Sequence, residues 1–226
     1  MKVLVIAAHP DDEVLGCGGT IARLAQEGSE LYTAILGEGI TSRYVKREEA
    51  DPAAVESLGT RSKQVAKLLG TVDVFLYNLP DNRFDTVPLL DIVKIIEELV
   101  ERLRPKAVYT HSGGDLNIDH LIVHRAVLTA TRPVRGSSVK EMYAFEVPSS
   151  TEWAFGQFRP GFRPNVFVDI SLTIDAKLKA MELYDTEVRS FPHPRSPEAI
   201  QATARRWGSV VGFECVEAFE LIRLAR

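Results

Sequence analysis

With 226 residues, 45% of them hydrophobic and 26% charged, the chain has enough apolar material for one sizeable core, which excludes a disordered or fibrous protein and makes one domain the default. A net charge of −4 without a basic stripe argues against nucleic acid as a partner. The two cysteines, Cys17 and Cys215, lie far apart without CxxC spacing, so a reduced, cytoplasmic setting fits better than a disulfide framework.

Taken in chain order, residues 2–8, KVLVIAA, form a continuous apolar run of the kind found in a strand covered on both faces. The run breaks at His9 and Pro10, too short for a signal peptide or a transmembrane span. From about Cys17 to Gly28 the apolar spacing is helical, and residues 31–37, LYTAILG, read as a second strand. A β-α-β unit of this kind implies parallel pairing through a right-handed crossover. The alternation continues with a helix over 53–69 ended by Gly70, a strand over 72–77, a helix over 88–103 stopped by Pro105, and a strand over 106–111. After residue 133 MYAFEV and NVFVDI read as strands without a helix between them, then helices follow at 173–186 and 196–211. The expectation is an α/β fold: a Rossmann-like, mostly parallel, doubly wound sheet over 1–133, with a strand and helix extension over 134–226 that caps it within one domain.

Ligands of open α/β sheets bind where strands end, and the polar clusters fall there. His9, Asp11, Asp12 and Glu13 follow strand one, Gly37 to Gly39 follow strand two, and HSGGDLNIDH, 111–120, follows strand four. Imidazole and carboxylate are the usual ligands of a catalytic zinc with one open position. Two ligands from the first loop and a third from the acid-histidine pair Asp119-His120 would make such a site, with one of the adjacent Asp11 and Asp12 on the metal and the other facing water. Taken singly, His111, His124 and His193 read as structural. A phosphate cradle is the rival reading of GCGGT, but a G-x-G-x-x-G pattern from Gly16 puts Ile21 where its third glycine belongs.

AHPDDE after the first strand, GCGGT in the first helix, the later DH, and the segments GDLNIDH and FPHPRS resemble the PIG-L/LmbE-like family of metal-dependent de-N-acetylases. The resemblance implies metal ligands at His9, Asp12 and His120 and a general base at Asp11. It implies Zn²⁺, with Fe²⁺ or Co²⁺ as alternatives, and removal of acetyl from an N-acetylglucosamine-type sugar or its conjugate. Homo-oligomers, trimers or hexamers, are known among similar proteins. Many members carry a histidine where this chain has Asn117, which leaves two readings: Asn117 does a reduced version of that job near the oxyanion, or His193 supplies the imidazole. Arg195 and Arg43 are expected to bind substrate. Asp119 is expected to orient an imidazole from behind or to cap the helix at 120–130. A nucleotide-dependent Rossmann-like enzyme and a catalytically inactive sugar-binding relative are the competing expectations.

Overall fold

The computed structural model of the protein describes residues 1–225. Strands β1 (Lys2–Ala7), β2 (Glu30–Gly37), β3 (Asp73–Leu79), β4 (Ala107–His111), β5 (Glu141–Phe145), β6 (Val166–Asp169) and β7 (Val216–Leu224) form one sheet in the order β3-β2-β1-β4-β5-β7-β6. The first five pair in parallel; β7 runs antiparallel to both β5 and β6. The helices are α1 (Asp12–Gln26), α2 (Pro52–Leu69), α3 (Leu89–Leu103), α4 (Ile118–Ala130), α5 (Ile174–Leu183) and α6 (Pro197–Val211).

The first run of the sequence is apolar throughout because β1 is central. Val3 and Val5 face a core built with α1, α2 and α5, and Leu4 and Ile6 face a second core built with α3 and α4. Residues after 133 continue the same sheet through β5, β6 and β7 while α5 and α6 cover one face. The strand β7 extends the chain's regular structure beyond the last helix expected from the sequence. Its pattern, VEAFELIRL, interrupts the apolar residues with Glu217, Glu220 and Arg223. No described helix is long and apolar enough to cross a membrane.

The first helix begins at Asp12, five residues before the start expected from its spacing, and it is broken inside. Cys17 has φ −150°, ψ 24°. An unbroken helix would bond the Gly19 N–H to the Leu15 carbonyl. Instead Lys177 Nζ donates to that carbonyl at 2.8 Å, and the Gly19 and Thr20 N–H groups donate to Glu217 Oε1 and Oε2 at 3.0 and 2.7 Å. Lys177 and Glu217 meet at 2.6 Å, both buried. An ion pair is thus inserted into the helix, one charge for each set of freed backbone groups. The glycines around the break admit close packing: a Cβ on Gly16 would collide with the Phe145 ring, and one on Gly19 would lie 2.8 Å from Ile170.

Candidate active site

The upper half of α1 carries the first polar cluster, and its N-cap is strained. Asp11 adopts φ 107°, ψ −28°, a region disfavoured for a residue with a Cβ and held only where neighbours impose it. Its carbonyl accepts from the Val14 and Leu15 N–H groups, and its own N–H donates to Glu13 Oε2 at 3.1 Å. Glu13 therefore turns under the loop, where its other oxygen accepts from the Tyr184 hydroxyl at 2.7 Å. Burial lifts the Glu13 carboxyl to about 7. Across the loop, Gly39 has φ +66°, and a Cβ there would meet the Pro10 ring at 2.9 Å.

Above this loop two imidazoles converge on one carboxylate. Asp12 Oδ2 lies 3.3 Å from His9 Nδ1 and 3.3 Å from His120 Nε2. It also accepts from the His9 N–H at 2.8 Å. Each ring is held from behind by another acid. His9 Nε2 bonds Asp119 Oδ2 at 2.9 Å, with Asp81 Oδ1 at 3.3 Å. His120 Nδ1 faces Asp115 Oδ1 at 3.1 Å, and Asp115 is fixed by the hydroxyls of Ser150 and Thr151 and the N–H of Asn117.

The donor chemistry fits a cation. Both ring nitrogens of His120 are buried and neither makes a hydrogen bond of good geometry, although carboxylates stand within 3.3 Å on either side. Burial disfavours a charged ring at His9 and at His120, yet the carboxylates around them prevail. Asp119 and Asp12 hold His9 well above its usual range, and Asp12 and Asp115 hold His120 at about 9. Burial also works against Asp12, but His120 and His111 keep its carboxyl well below the usual range. Such a cluster retains protons in place of a positive ion, and His9, Asp12 and His120 can offer three ligand atoms to one metal.

The third histidine of the group is differently used. His111 Nε2 accepts the Ala8 N–H at 2.8 Å, and its ring stacks on His120 with centroids 4.0 Å apart. Burial, reinforced by His120, lowers its pKa well below the usual value. His124 Nδ1 bonds the His111 carbonyl at 2.8 Å.

A cleft of about 310 Å³ opens over the cluster, and His9, Asp11, Arg43, Asn117, His193 and Arg195 all line it. Arg195 Nη1 donates to Asp11 Oδ2 at 2.8 Å and its Nε to Ser149 Oγ at 2.8 Å. Burial pushes the Asp11 carboxyl well above the carboxylate range against the pull of Arg195. His193 Nδ1 accepts the Arg195 N–H at 3.1 Å, so a neutral ring carries its proton on Nε2; the ring packs edge to face on Trp153 at 5.4 Å. Burial and the neighbouring Arg195 and Arg189 lower its pKa. Asn117 is the N-cap of α4. Its Oδ1 accepts the Asp119 N–H at 2.9 Å and its Nδ2 donates to Asn82 Oδ1 at 2.8 Å. Asp119 lies within the first turn of that helix, and its Oδ1 accepts the Phe84 N–H at 2.9 Å. Arg43 pairs with Glu187, and Arg61 with Asp185.

Asp81, Asp115 and Glu187 join the site without having been expected from the sequence. For Asp115 a signal existed, an acid five residues before His120 in the same loop. Asp81 and Glu187 carry no local pattern that marks them.

Fold and cluster together define an α/β protein with a strand-end site whose imidazoles and carboxylate could hold a metal ion. A model of the PIG-L family, described as GlcNAc-PI de-N-acetylase, matches residues 4–131, more than half of the chain, and the protein belongs to that family. It is similar to the uncharacterized deacetylase YaiS of Escherichia coli, 29% identical over 74% of this chain and 81% of the relative. It is 27% identical to the 1D-myo-inositol 2-acetamido-2-deoxy-alpha-D-glucopyranoside deacetylase of Rhodococcus erythropolis, over 84% of this chain and 82% of that one. Among solved structures, the conserved protein TT1542 of Thermus thermophilus superposes with a TM-score of 0.78 at 25% identity, covering 99% of this chain and 96% of the other.

Proposed function

We propose that the protein is a zinc-dependent amidohydrolase that removes the acetyl group from an N-acetylglucosamine-type sugar or a conjugate of one. The observation that carries the reading is the convergence of His9 Nδ1 and His120 Nε2 on Asp12 Oδ2, each 3.3 Å away, directly beside a buried Asp11 on the same cleft. The activities of the family and of the Rhodococcus relative support the acetamido-sugar part.

His9, Asp12 and His120 would hold the metal, which when bound supplies a Lewis acid that brings the pKa of water to about 7 and polarises the amide carbonyl. Asp11 is the general base. Arg195 fixes its Oδ2, so Oδ1 accepts the proton of the attacking water and returns it to the departing amine. Burial raises its proton affinity above that of an exposed carboxylate. His193 donates from Nε2–H to the oxygen on which charge develops, and a lowered pKa keeps this donor neutral. Asn117, with both ends of its amide engaged, is a positioning residue that starts α4 and sets Asp119 behind His9. An N₂O ligand set also admits Fe²⁺ and Co²⁺.

The test is acetate release from N-acetylated sugars and their conjugates by zinc-loaded protein beside Asp11→Asn. Release that requires both metal and Asp11 sustains the reading. Unchanged release from Asp11→Asn sinks it.

A further inference from the structure

Four charges alternate along one wall of the cleft. Arg43 Nη2 is 2.6 Å from Glu187 Oε1, Glu187 Oε2 is 3.3 Å from Arg195 Nη1, and that nitrogen is 2.8 Å from Asp11 Oδ2. The arginines arrive from different parts of the chain, the turn after β2 and the segment before α6, and Glu187 joins them. Its side chain is only 11% exposed, against 40% for Arg43 and 23% for Arg195, so water screens these pairs in part. The other cleft arginine, Arg189, folds back and donates to the carbonyls of Thr186 and Val188.

A guanidinium facing a substrate cleft ordinarily offers a fork for a carboxylate or phosphate. Here Arg43 and Arg195 already have carboxylate partners from the protein. We infer that Glu187 is a specificity-determining residue: its carboxylate occupies the anion site that Arg43 and Arg195 would otherwise present, so the cleft selects uncharged amino-sugar amides over those bearing a carboxylate or phosphate. This deepens, and rests on, the deacetylase reading. Neutral sugar hydroxyls suit such a wall, because the carboxylate oxygens accept their protons while guanidinium N–H groups donate to their oxygens. An anionic substituent gains nothing from an arginine already neutralised, and it is repelled by Glu187.

The experiment compares kcat/KM for acetate release from N-acetylglucosamine and from its 3-O-lactyl acid, N-acetylmuramate, with metal-loaded wild type, Glu187→Gln, Glu187→Asp and Arg43→Gln. Melting temperatures establish that each variant is folded, and calorimetry records binding of both sugars. Wild type favours the neutral sugar. Glu187→Gln moves the ratio about tenfold toward the acid, chiefly through KM, as expected for one unit of charge at a few ångströms in a partly screened site. Glu187→Asp stays within about threefold of wild type, and Arg43→Gln moves the ratio the opposite way. The shift disappears in Glu187→Gln combined with Arg43→Gln. A Glu187→Gln protein that loses activity on both sugars by one factor, or a wild type that prefers the acid, overturns the inference while leaving the deacetylase reading intact. Absence of both binding and acetate release for the two sugars overturns the inference, while the deacetylase reading is decided by acetate release from the conjugates.

Discussion

Arg195 Nη1 stands 2.8 Å from Asp11 Oδ2, so a residue just before α6 fixes a side chain at the head of α1. Asp11 has a buried carboxyl raised by desolvation and restrained by this one cation. Removing the cation in Arg195→Met lets the carboxyl rise further. The base is then lost at a higher pH, so the acid limb of the kcat/KM profile moves upward, and the maximum falls. Metal content stays stoichiometric, which separates this effect from loss of the site.

The proposed ligands and the proposed base separate in the same way. Asp11→Asn lowers kcat by roughly 10²- to 10⁴-fold, the usual worth of a positioned acid-base group, with zinc still bound. His120→Ala and Asp12→Ala lose the metal. Zinc at 100 times its dissociation constant stabilises the wild-type protein by about 2.7 kcal/mol, read as a rise in Tm that a chelator reverses. His120→Ala shows no such rise.

The break in α1 depends on charge. Lys177→Met leaves Glu217 buried beside two backbone donors with no cation, and deprives the Leu15 carbonyl of its partner. Removal of one member of a buried pair costs about 3–5 kcal/mol, measured as a shift of the urea midpoint.

Glycine at position 19 gives a prediction whose sign opposes helix propensity. Gly→Ala ordinarily stabilises a helix by about 1 kcal/mol. Here the new Cβ would lie 2.8–2.9 Å from three atoms of Ile170, and overpacking costs roughly 1–3 kcal/mol. Gly19→Ala therefore lowers the urea midpoint.

Stability also carries a pH signature away from the cleft. The Glu146 carboxyl is raised by burial, with the hydrogen bond from Trp207 Nε1 opposing the shift. The native state then binds this proton more tightly than the unfolded chain, so stability is full below the unfolded value of about 4.3 and falls as pH rises toward the native one. Glu146→Gln keeps an acceptor for Trp207 and removes the charge. Its gain in urea midpoint is larger at pH 8 than at pH 5.

Much of this arrangement was legible in residue order. Continuous apolar runs marked β1 and β2, Gly70 marked the end of α2, and strand-end placement marked His9, Asp11, Asp12 and His120 as neighbours before any coordinates. What escaped notice depends on contacts distant in sequence. The spacing of Ile21, Leu24 and Ala25 marks α1 only from about Cys17; the turn before it joins the helix across a break whose freed backbone groups are taken up by residues 177 and 217. The strand β7 is hard to read because Glu217, Glu220 and Arg223 interrupt its apolar residues, and Glu217 is buried among partners distant in sequence, Lys177 and the N–H groups of Gly19 and Thr20. Arg43 and Arg195 read as ligand-binding cations because nothing local indicates Glu187, which spends its charge on both.

The insertion of Lys177 and Glu217 into α1 also ties the head of that helix to the last strand of the sheet. Asp11 and Asp12 sit at the N-terminal end of the helix segment that ends at the break. That segment takes its direction from an ion pair made more than 160 residues later. A chain halted before residue 217 lacks the carboxylate that receives the Gly19 and Thr20 N–H groups, and the segment that carries Asp11 and Asp12 then ends beside two donors without that partner.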